Sequence, residues 1–485
     1  MSIRWNPRPA GTLGGALLLG GCAAFAPPVE MPPTQAPALQ APPAWQAPPP
    51  PADARASLQG WWQQFDDPVL LEMIAAAERA SPTVAAASSR IEQARASSVA
   101  AGALLLPMLN ANGSATAGRS DLSLPKASFA SVNLQASWEL DLFGANQAGR
   151  DAAVARLQGA QAGYADARIA IAAETAASYN ALRGCEAVVV QTEADTRSRT
   201  ETARVTELAA KAGLVAPASA ALARASAAQG RSLLAGQQAQ CELLLKSLVA
   251  LTALDETTLR RQLAPRTAQL PVPAGIAVQA VPGAALMQRP DLVAAAQQVV
   301  AAAQDTTQSQ ALRYPSISIV GTVGPAWVRI NNASTSGNLW TVGPLQLSLP
   351  IFDGGTRVAN VVAARARYDE AVSAYQGLVR NAVREVEAAL VTLDASARRV
   401  QDTQVAIEGF EASLKAADAR FRGGLGSLFD LEDARRSALL AQSTKVELQR
   451  EQVAAWINLY RALGGGWSPE QLAVALPAAG TPAKP

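Results

Sequence analysis

The chain has 485 residues, enough for two or more ordinary domains, yet aromatic residues make up only 5 % of it and alanine is abundant, poor material for a thick globular core. Its 41 basic and 39 acidic residues give a net charge of +2, which excludes the electrostatic footprint of a nucleic-acid partner. Histidine is absent, and with it the commonest metal ligand and general base; no phosphate-cradling glycine motif stands between a strand and a helix either, so neither a cofactor nor an enzyme is expected.

At the start, Arg4 and Arg8 precede an apolar run from Ala10 to Gly21, 12 residues long and too short to cross a bilayer of roughly 30 Å as a helix. Residues 1–21 read as a secretory signal. Leu19-Gly20-Gly21-Cys22 resembles a bacterial lipobox, which makes Cys22 the expected lipid-attachment residue; an ordinary signal with an incidental cysteine is the alternative. By resemblance to bacterial lipoproteins, Ala23 where an Asp would mean retention favours the outer membrane. Residues 22–59, crowded with Pro, Ala and Gln between Pro27 and Pro51, are expected to be an extended tether from lipid to body.

The body repeats itself. ALLLPMLNANGSATAG (103–118) matches ALRYPSISIVGTVG (311–324) with Pro107 over Pro315; WELDLFG matches LSLPIFDGG with Phe143 over Phe352; KAGLVAPASAALARA (211–225) matches RGGLGSLFDLEDARR (422–436). The offsets of 208, 209 and 211 residues are nearly constant over most of each copy, a strong repeat signal. The expected units are a first repeat over 60–265, a linker over 266–283, a second repeat over 284–468 and a tail over 469–485. Each repeat holds a helix, a β-hairpin (about 107–143 and 315–352) and a long helical hairpin (about 146–254 and 354–463).

Within each copy the strands show period-two patterning. Leu134, Ala136, Trp138, Leu140 and Leu142 alternate with Gln135, Ser137, Glu139 and Asp141, and Leu345, Leu347 and Leu349 alternate with Gln346 and Ser348. Exposed loops are expected near 119–128 and 328–338. After each corner proline disappears, from 126 to 216 and from 351 to 468. Val379, Val383, Val386, Leu390, Leu393, Ala397, Val400 and Ile407 keep a 3.5-residue period, a coiled-coil seam in a helix over about 354–421 on the order of 100 Å long. Gly213 and the pair Gly423-Gly424 end the two long helices. Cys185 and Cys241 each lie 28 residues from Gly213, so an antiparallel pair folded there puts them at one height, where an oxidising compartment permits a disulfide; two small buried thiols are the alternative.

Four amphipathic strands cannot close a membrane barrel, since even the smallest single-chain barrels use about eight, and an open edge in lipid is costly. The strands must be pooled between chains, and three chains would supply twelve.

These landmarks resemble the TolC/OprM family of outer-membrane efflux proteins, within it the lipid-anchored factors of multidrug efflux systems. GWWQQFDDPVL (60–70), LMQRPDLVAAA (286–296), LSLPIFDGG (347–355) and LYRALGGGW (459–467) are similar to its recurring signatures. The resemblance implies an α+β, mainly α fold: a homotrimer whose twelve-stranded barrel in the outer membrane continues into a periplasmic helical barrel with a smaller equatorial region. It implies a passive exit duct for small amphiphilic compounds such as drugs, working with a periplasmic adaptor (membrane fusion protein) and an inner-membrane RND-type pump, with outer-membrane lipid around it. The adaptor would meet the helical tips at Gly213, Leu214, Gly424 and Leu425. Two other readings stay open: a channel for type I protein secretion, and a periplasmic coiled-coil scaffold without a pore.

By the same resemblance Asp433 and Arg436 match positions that tie the periplasmic mouth shut, and Asp430 a member of an acidic constriction. Spacing of three places Asp430, Asp433 and Arg436 along one helix side, which by itself is equally a solvated charged face. The Arg289-Pro290-Asp291 run reads locally as a helix start, with Pro in the first turn and Asp near the positive end.

Overall fold

The structure, a computed structural model, describes residues 32–33, 35–50, 58, 60–119, 125–272, 275, 282–331 and 333–468. The signal segment, Cys22 and the tail over 469–485 lie outside the described residues. A single 3-10 turn, Trp61–Phe65, leads into α1 (Pro68–Ala80) and α2 (Pro82–Ala103). Strands β1 (Met108–Gly118) and β2 (Ala127–Leu140) follow, then the long hairpin of α3 (Ala145–Lys211) and α4 (Pro217–Thr252) and the short α5 (Glu256–Leu263). The second copy runs through α6 (Pro282–Leu286), α7 (Pro290–Ala311), β3 (Ser316–Ile330), β4 (Ala333–Ser348), α8 (Thr356–Arg422) and α9 (Leu428–Ala462). Helices α3 and α8 are each 67 residues, about 100 Å, so the repeat extends to element length. No helix among the described residues is long and apolar enough to cross a membrane.

The four strands form one antiparallel sheet in the order β1-β2-β3-β4. Strands β2 and β3, from different repeats, pair from Ala127↔Ile330 to Leu140↔Ile317. The sheet has two unlike faces. Trp138, Ile319 and Leu345 lie in register on one, as do Leu140, Ile317 and Leu347. On the other, Asn112 donates to Gln135 (3.2 Å), and the hydroxyl pairs Ser114–Ser131 (3.1 Å) and Thr322–Thr341 (2.7 Å) span neighbouring strands. Leu345, Leu347 and Trp340 are 64 %, 65 % and 74 % exposed in the single chain, far more apolar area than a soluble sheet leaves uncovered. The expected loop at 328–338 is instead strand: β3 runs to Ile330 and β4 starts at Ala333. Ser334, Thr335, Ser336 and Asn338 read as turn residues by composition, but cross-strand pairing absorbs them.

The core sits below the sheet, where the recurring sequence signatures meet. Trp61 stacks on Tyr460 (5.0 Å between centroids) and Trp62 meets the same ring edge-on (4.7 Å), joining GWWQQF to LYRALGGGW. Asp67, fully buried, caps α1 by accepting from the amides of Val69 and Leu70, and takes the Tyr179 hydroxyl proton at 2.7 Å. Arg289 is the second hub. Its guanidinium pairs with Asp291 (2.7 Å) and Glu385 (2.9 Å) and donates to the Ala462 carbonyl (3.0 Å), tying the start of α7 to α8 and the end of α9. Gly464, at φ 81°, closes α9 against this backbone; a Cβ there would come within 3.0 Å of Arg289 Cα.

Two expectations need correction. The Pro-rich tether is docked where it is described: the amides of Gln46 and Ala47 donate to the Glu387 carboxylate (2.7 and 2.8 Å), and Leu39, Ala41 and Trp45 pack on the core. Extended proline-rich backbone has unpaired amides, and a carboxylate on the body satisfies two of them. In the α8 seam, Val379, Val386, Leu390, Leu393 and Ile407 are buried, but Ala397 and Val400 are exposed and Ser396 is buried instead. A straight helix drifts about 20° per heptad from a 3.5 repeat, so the buried line moves to a neighbouring position.

Beside Arg289 lies a cavity of about 180 Å³ lined by Asp166, Asp291, Glu385, Arg289, Arg461 and Asn381, among others. Burial, and then the charge of Asp291, raise the Asp166 pKa, while Arg461 and Arg289 oppose them. A carboxyl whose folded pKa is raised contributes stability below its unfolded value and loses it as pH rises through the folded value. Asp166→Asn is therefore expected to raise the midpoint of thermal unfolding, followed by circular dichroism, at pH 7, and to leave it unchanged below about pH 4, where Asp is neutral in both states.

Candidate functional site

The two hairpin tips are built alike. At the first, the Leu214 amide donates to Ala209 O (2.8 Å) and the Gly213 amide to Ala210 O (3.0 Å), with Gly213 at φ 76°. At the second, Leu425 donates to Arg420 O (2.8 Å) and Gly424 to Phe421 O (3.0 Å), with Gly424 at φ 72°. Both are Schellman closures, in which a glycine at positive φ lets two amides return to the last carbonyls. They leave Leu214 and Leu425 projecting at 78 % and 84 % exposure.

The copies differ in how the next helix starts. Helix α4 begins with Pro217 at its first position. Helix α9 begins with a capping box: Ser427 Oγ accepts from the Asp430 amide (3.1 Å), and the Asp430 carboxylate accepts from the Ser427 amide (3.4 Å). Asp430 thus has a local structural partner.

Charges on α9 divide by face. Asp433 and Arg436 pair with each other along the exposed side of the helix, the side that also carries Asp430. One position earlier, Glu432 and Arg435 turn inward. Glu432 accepts from Arg199 (2.8 Å) and Ser226 Oγ (2.5 Å) and pairs with Arg435 (2.8 Å); Arg199 also holds Asp195 (2.6 Å). Arg435, only 3 % exposed, donates to Ser198 Oγ (3.0 Å) and Thr202 Oγ1 (2.7 Å). Two guanidiniums and two carboxylates make a formally neutral, hydrogen-bonded cluster that rivets α9 to α3 and α4.

Sequence reasoning singled out the outward stripe and missed this inward one. The signal was present: Leu428, Leu431, Arg435 and Ala438 step by 3, 4 and 3, and all are buried, so Arg435 occupies a seam position where an apolar residue is usual. Next to the cluster a groove of about 380 Å³ between α3, α8 and α9 presents Asp195, Glu411, Lys415, Asp418, Arg422 and Arg435. Among the described residues no group of His, Cys, Asp and Glu could hold a metal ion.

Higher on the first hairpin, Cys185 of α3 and Cys241 of α4 are joined in a disulfide with Cα atoms 5.6 Å apart. Cys185 Sγ also accepts from Gln237 Nε2 (3.3 Å).

The sequence matches the family model described as outer membrane efflux protein over residues 73–254 and 281–465, one stretch in each repeat. It is similar to nodulation protein T of Rhizobium leguminosarum bv. viciae, 27 % identical over 424 residues and 86 % of each chain. It is 31 % identical over 337 residues to outer membrane protein OprJ of Pseudomonas aeruginosa, covering 68 % of each. Among solved structures it is similar to the outer membrane protein VceC of Vibrio cholerae, with a TM-score of 0.73 and 26 % identity over 85 % of this chain and 100 % of that one.

Two contrasts test the division of charges. Glu432→Ala strands two buried guanidiniums and is expected to destabilise the helical body by about 3–5 kcal/mol, whereas Asp433→Ala on the exposed face should stay within about 0.5 kcal/mol, both measured by denaturant unfolding. Replacing Cys185 and Cys241 together by Ser opens a loop 56 residues long and is expected to cost about 4 kcal/mol in the same assay.

Proposed function

The chain belongs to the outer membrane efflux protein family, and from that premise we propose that three copies form a passive exit duct through the outer membrane into the periplasm. One observation carries this reading: a four-stranded sheet with an apolar outer face and both edges unpaired. In lipid each orphaned backbone group costs several kcal/mol, so the edges must pair with other copies. The free edges of β1 and β4 differ, which makes the contact head-to-tail and closes it into a ring of twelve strands when three copies join. The face carrying Asn112, Gln135, Thr322 and Thr341 then lines water, and the face carrying Trp138, Ile319 and Leu345 meets lipid.

Below the barrel the paired 67-residue helices continue the duct. The projecting Leu214 and Leu425 suit contact with a periplasmic adaptor, which couples the duct to an inner-membrane RND-type pump; the duct passes small amphiphilic compounds such as drugs. Cys22 carries a lipid that adds a second hold on the outer membrane. A pore-free scaffold would need protein over the apolar sheet face, and nothing in the chain supplies it. Protein export through the same duct differs only in cargo.

At the periplasmic mouth Asp430 and Asp433 from three copies bring six carboxylates towards the axis, with Arg436 beside them. Inward residues Glu432 and Arg435 hold each protomer's hairpins together, so the outward set is free to make contacts between protomers. Exposed pairs are worth under about 1 kcal/mol singly, but three symmetry-related copies act together. The Asp433→Ala/Arg436→Ala variant is expected to show higher single-channel conductance in planar bilayers than the parent. Unchanged conductance would remove the gate from this proposal.

A further inference from the structure

The internal repeat also specifies the contact between subunits, resting on the ring proposed above. Within one chain, copy one meets copy two along the β2–β3 seam, where Ala136, Ser137, Trp138 and Glu139 face Gly321, Val320, Ile319 and Ser318. Just beyond the strands Phe143 stacks on Tyr314, with centroids 4.9 Å apart and rings 14° from parallel. The sequence offsets carry β2 onto β4 by 209 residues and β3 onto β1 by 208. We infer that β4 meets β1 of the partner subunit by the same rule, with Leu345, Gln346, Leu347 and Ser348 facing Gly113 of the partner subunit, Asn112 of the partner subunit, Ala111 of the partner subunit and Asn110 of the partner subunit.

Two independent observations agree with this register. The faces match: Leu345 and Leu347 fall opposite small, nonpolar partners, and Gln346 and Ser348 fall opposite asparagines. A slip by one residue would set leucines against asparagines along the whole seam. The corner matches as well. Phe352 is 91 % exposed although its counterpart Phe143 is stacked, and the rule gives it Leu106 of the partner subunit, a position 63 % exposed in the single chain. The helices below show the same incompleteness. Helix α7 lies against α3 across the internal seam, with Asp305 pairing to Arg156, and buries eight residues; its counterpart α2 buries only Val84, Ala87 and Ile91. Helix α2 is thus a surface that lacks the neighbour α7 has, and α8 of the partner subunit is that neighbour.

The test uses the full chain, extracted from membranes in detergent and treated with a mild oxidant. In the Gln346→Cys/Asn112→Cys variant the monomer band on non-reducing denaturing gels should convert to a ladder ending at a covalent trimer, and neither single variant should do so. Slips of two residues keep the faces, so Gln346→Cys with Asn110→Cys and Gln346→Cys with Ser114→Cys are run beside it. A ladder strongest in either slipped pair overturns the register and leaves the ring standing. Absence of any ladder from a particle with trimeric mass overturns the seam itself. A monomeric mass removes the ring and the seam together. If strand substitutions lower the yield of folded protein, Phe352→Cys/Leu106→Cys probes the same rule outside the strands, with the same outcomes.

Discussion

Two rows of backbone amides and carbonyls, along the outer edges of β1 and β4, have no partner within the chain. Everything else about the architecture follows from how that deficit combines with an apolar sheet face. An edge left open in water invites aggregation, and an edge left open in lipid costs several kcal/mol per group. A chain with eight or more strands would close its own cylinder. This one has four, two from each repeat, and the seam between repeats already shows how unlike copies join. Duplication supplies an internal example of the contact that the ring proposed above repeats between subunits.

A sheet of this kind must be held at a fixed angle to helices about 100 Å long, and the residues doing so are concentrated below the strands. Trp61, Trp62 and Tyr460 form an aromatic cluster, Asp67 caps a helix while engaging Tyr179, and Arg289 joins three helices. Gly464 and Arg289 explain each other, because the glycine lacks the side chain that would strike the arginine's backbone. The proline-rich segment over 35–50 adds a strap to this region through Glu387.

The helical tips separate rigidity from adjustability by helix face. Inward, Arg199, Asp195, Glu432 and Arg435 satisfy one another in a nearly dry setting, where loss of one member leaves another buried charge exposed to no solvent. Outward, Asp433 and Arg436 pair in water at small energetic cost to rearrange. A mouth that opens can exchange the second set of contacts while the first keeps each protomer's two hairpins moving as one body.

Much of this was legible in the sequence because it depends on local chemistry and period. Alternation identified the strands and their faces, proline-free stretches with a heptad period identified the long helices, and equal distances from Gly213 placed Cys185 and Cys241 at one height. The duplication was visible because its landmarks recur at nearly constant offset. Other features were decided only by tertiary structure. Spacing of three put Asp430, Asp433 and Arg436 on one side, but it could not say which of two adjacent charged stripes faced the neighbouring helices. Packing buried Glu432 and Arg435 and left Asp433 and Arg436 in water. Composition assigned Ser334 to Asn338 to a loop and the residues around Trp45 to a free tether, because it records what a segment cannot do alone and not what a partner strand or the Glu387 carboxylate does for it. The sequence by itself determined the elements, their faces and their repetition, since these follow from each residue and its near neighbours; which faces meet was decided by the fold, since burial is a property of all the surfaces brought together at once.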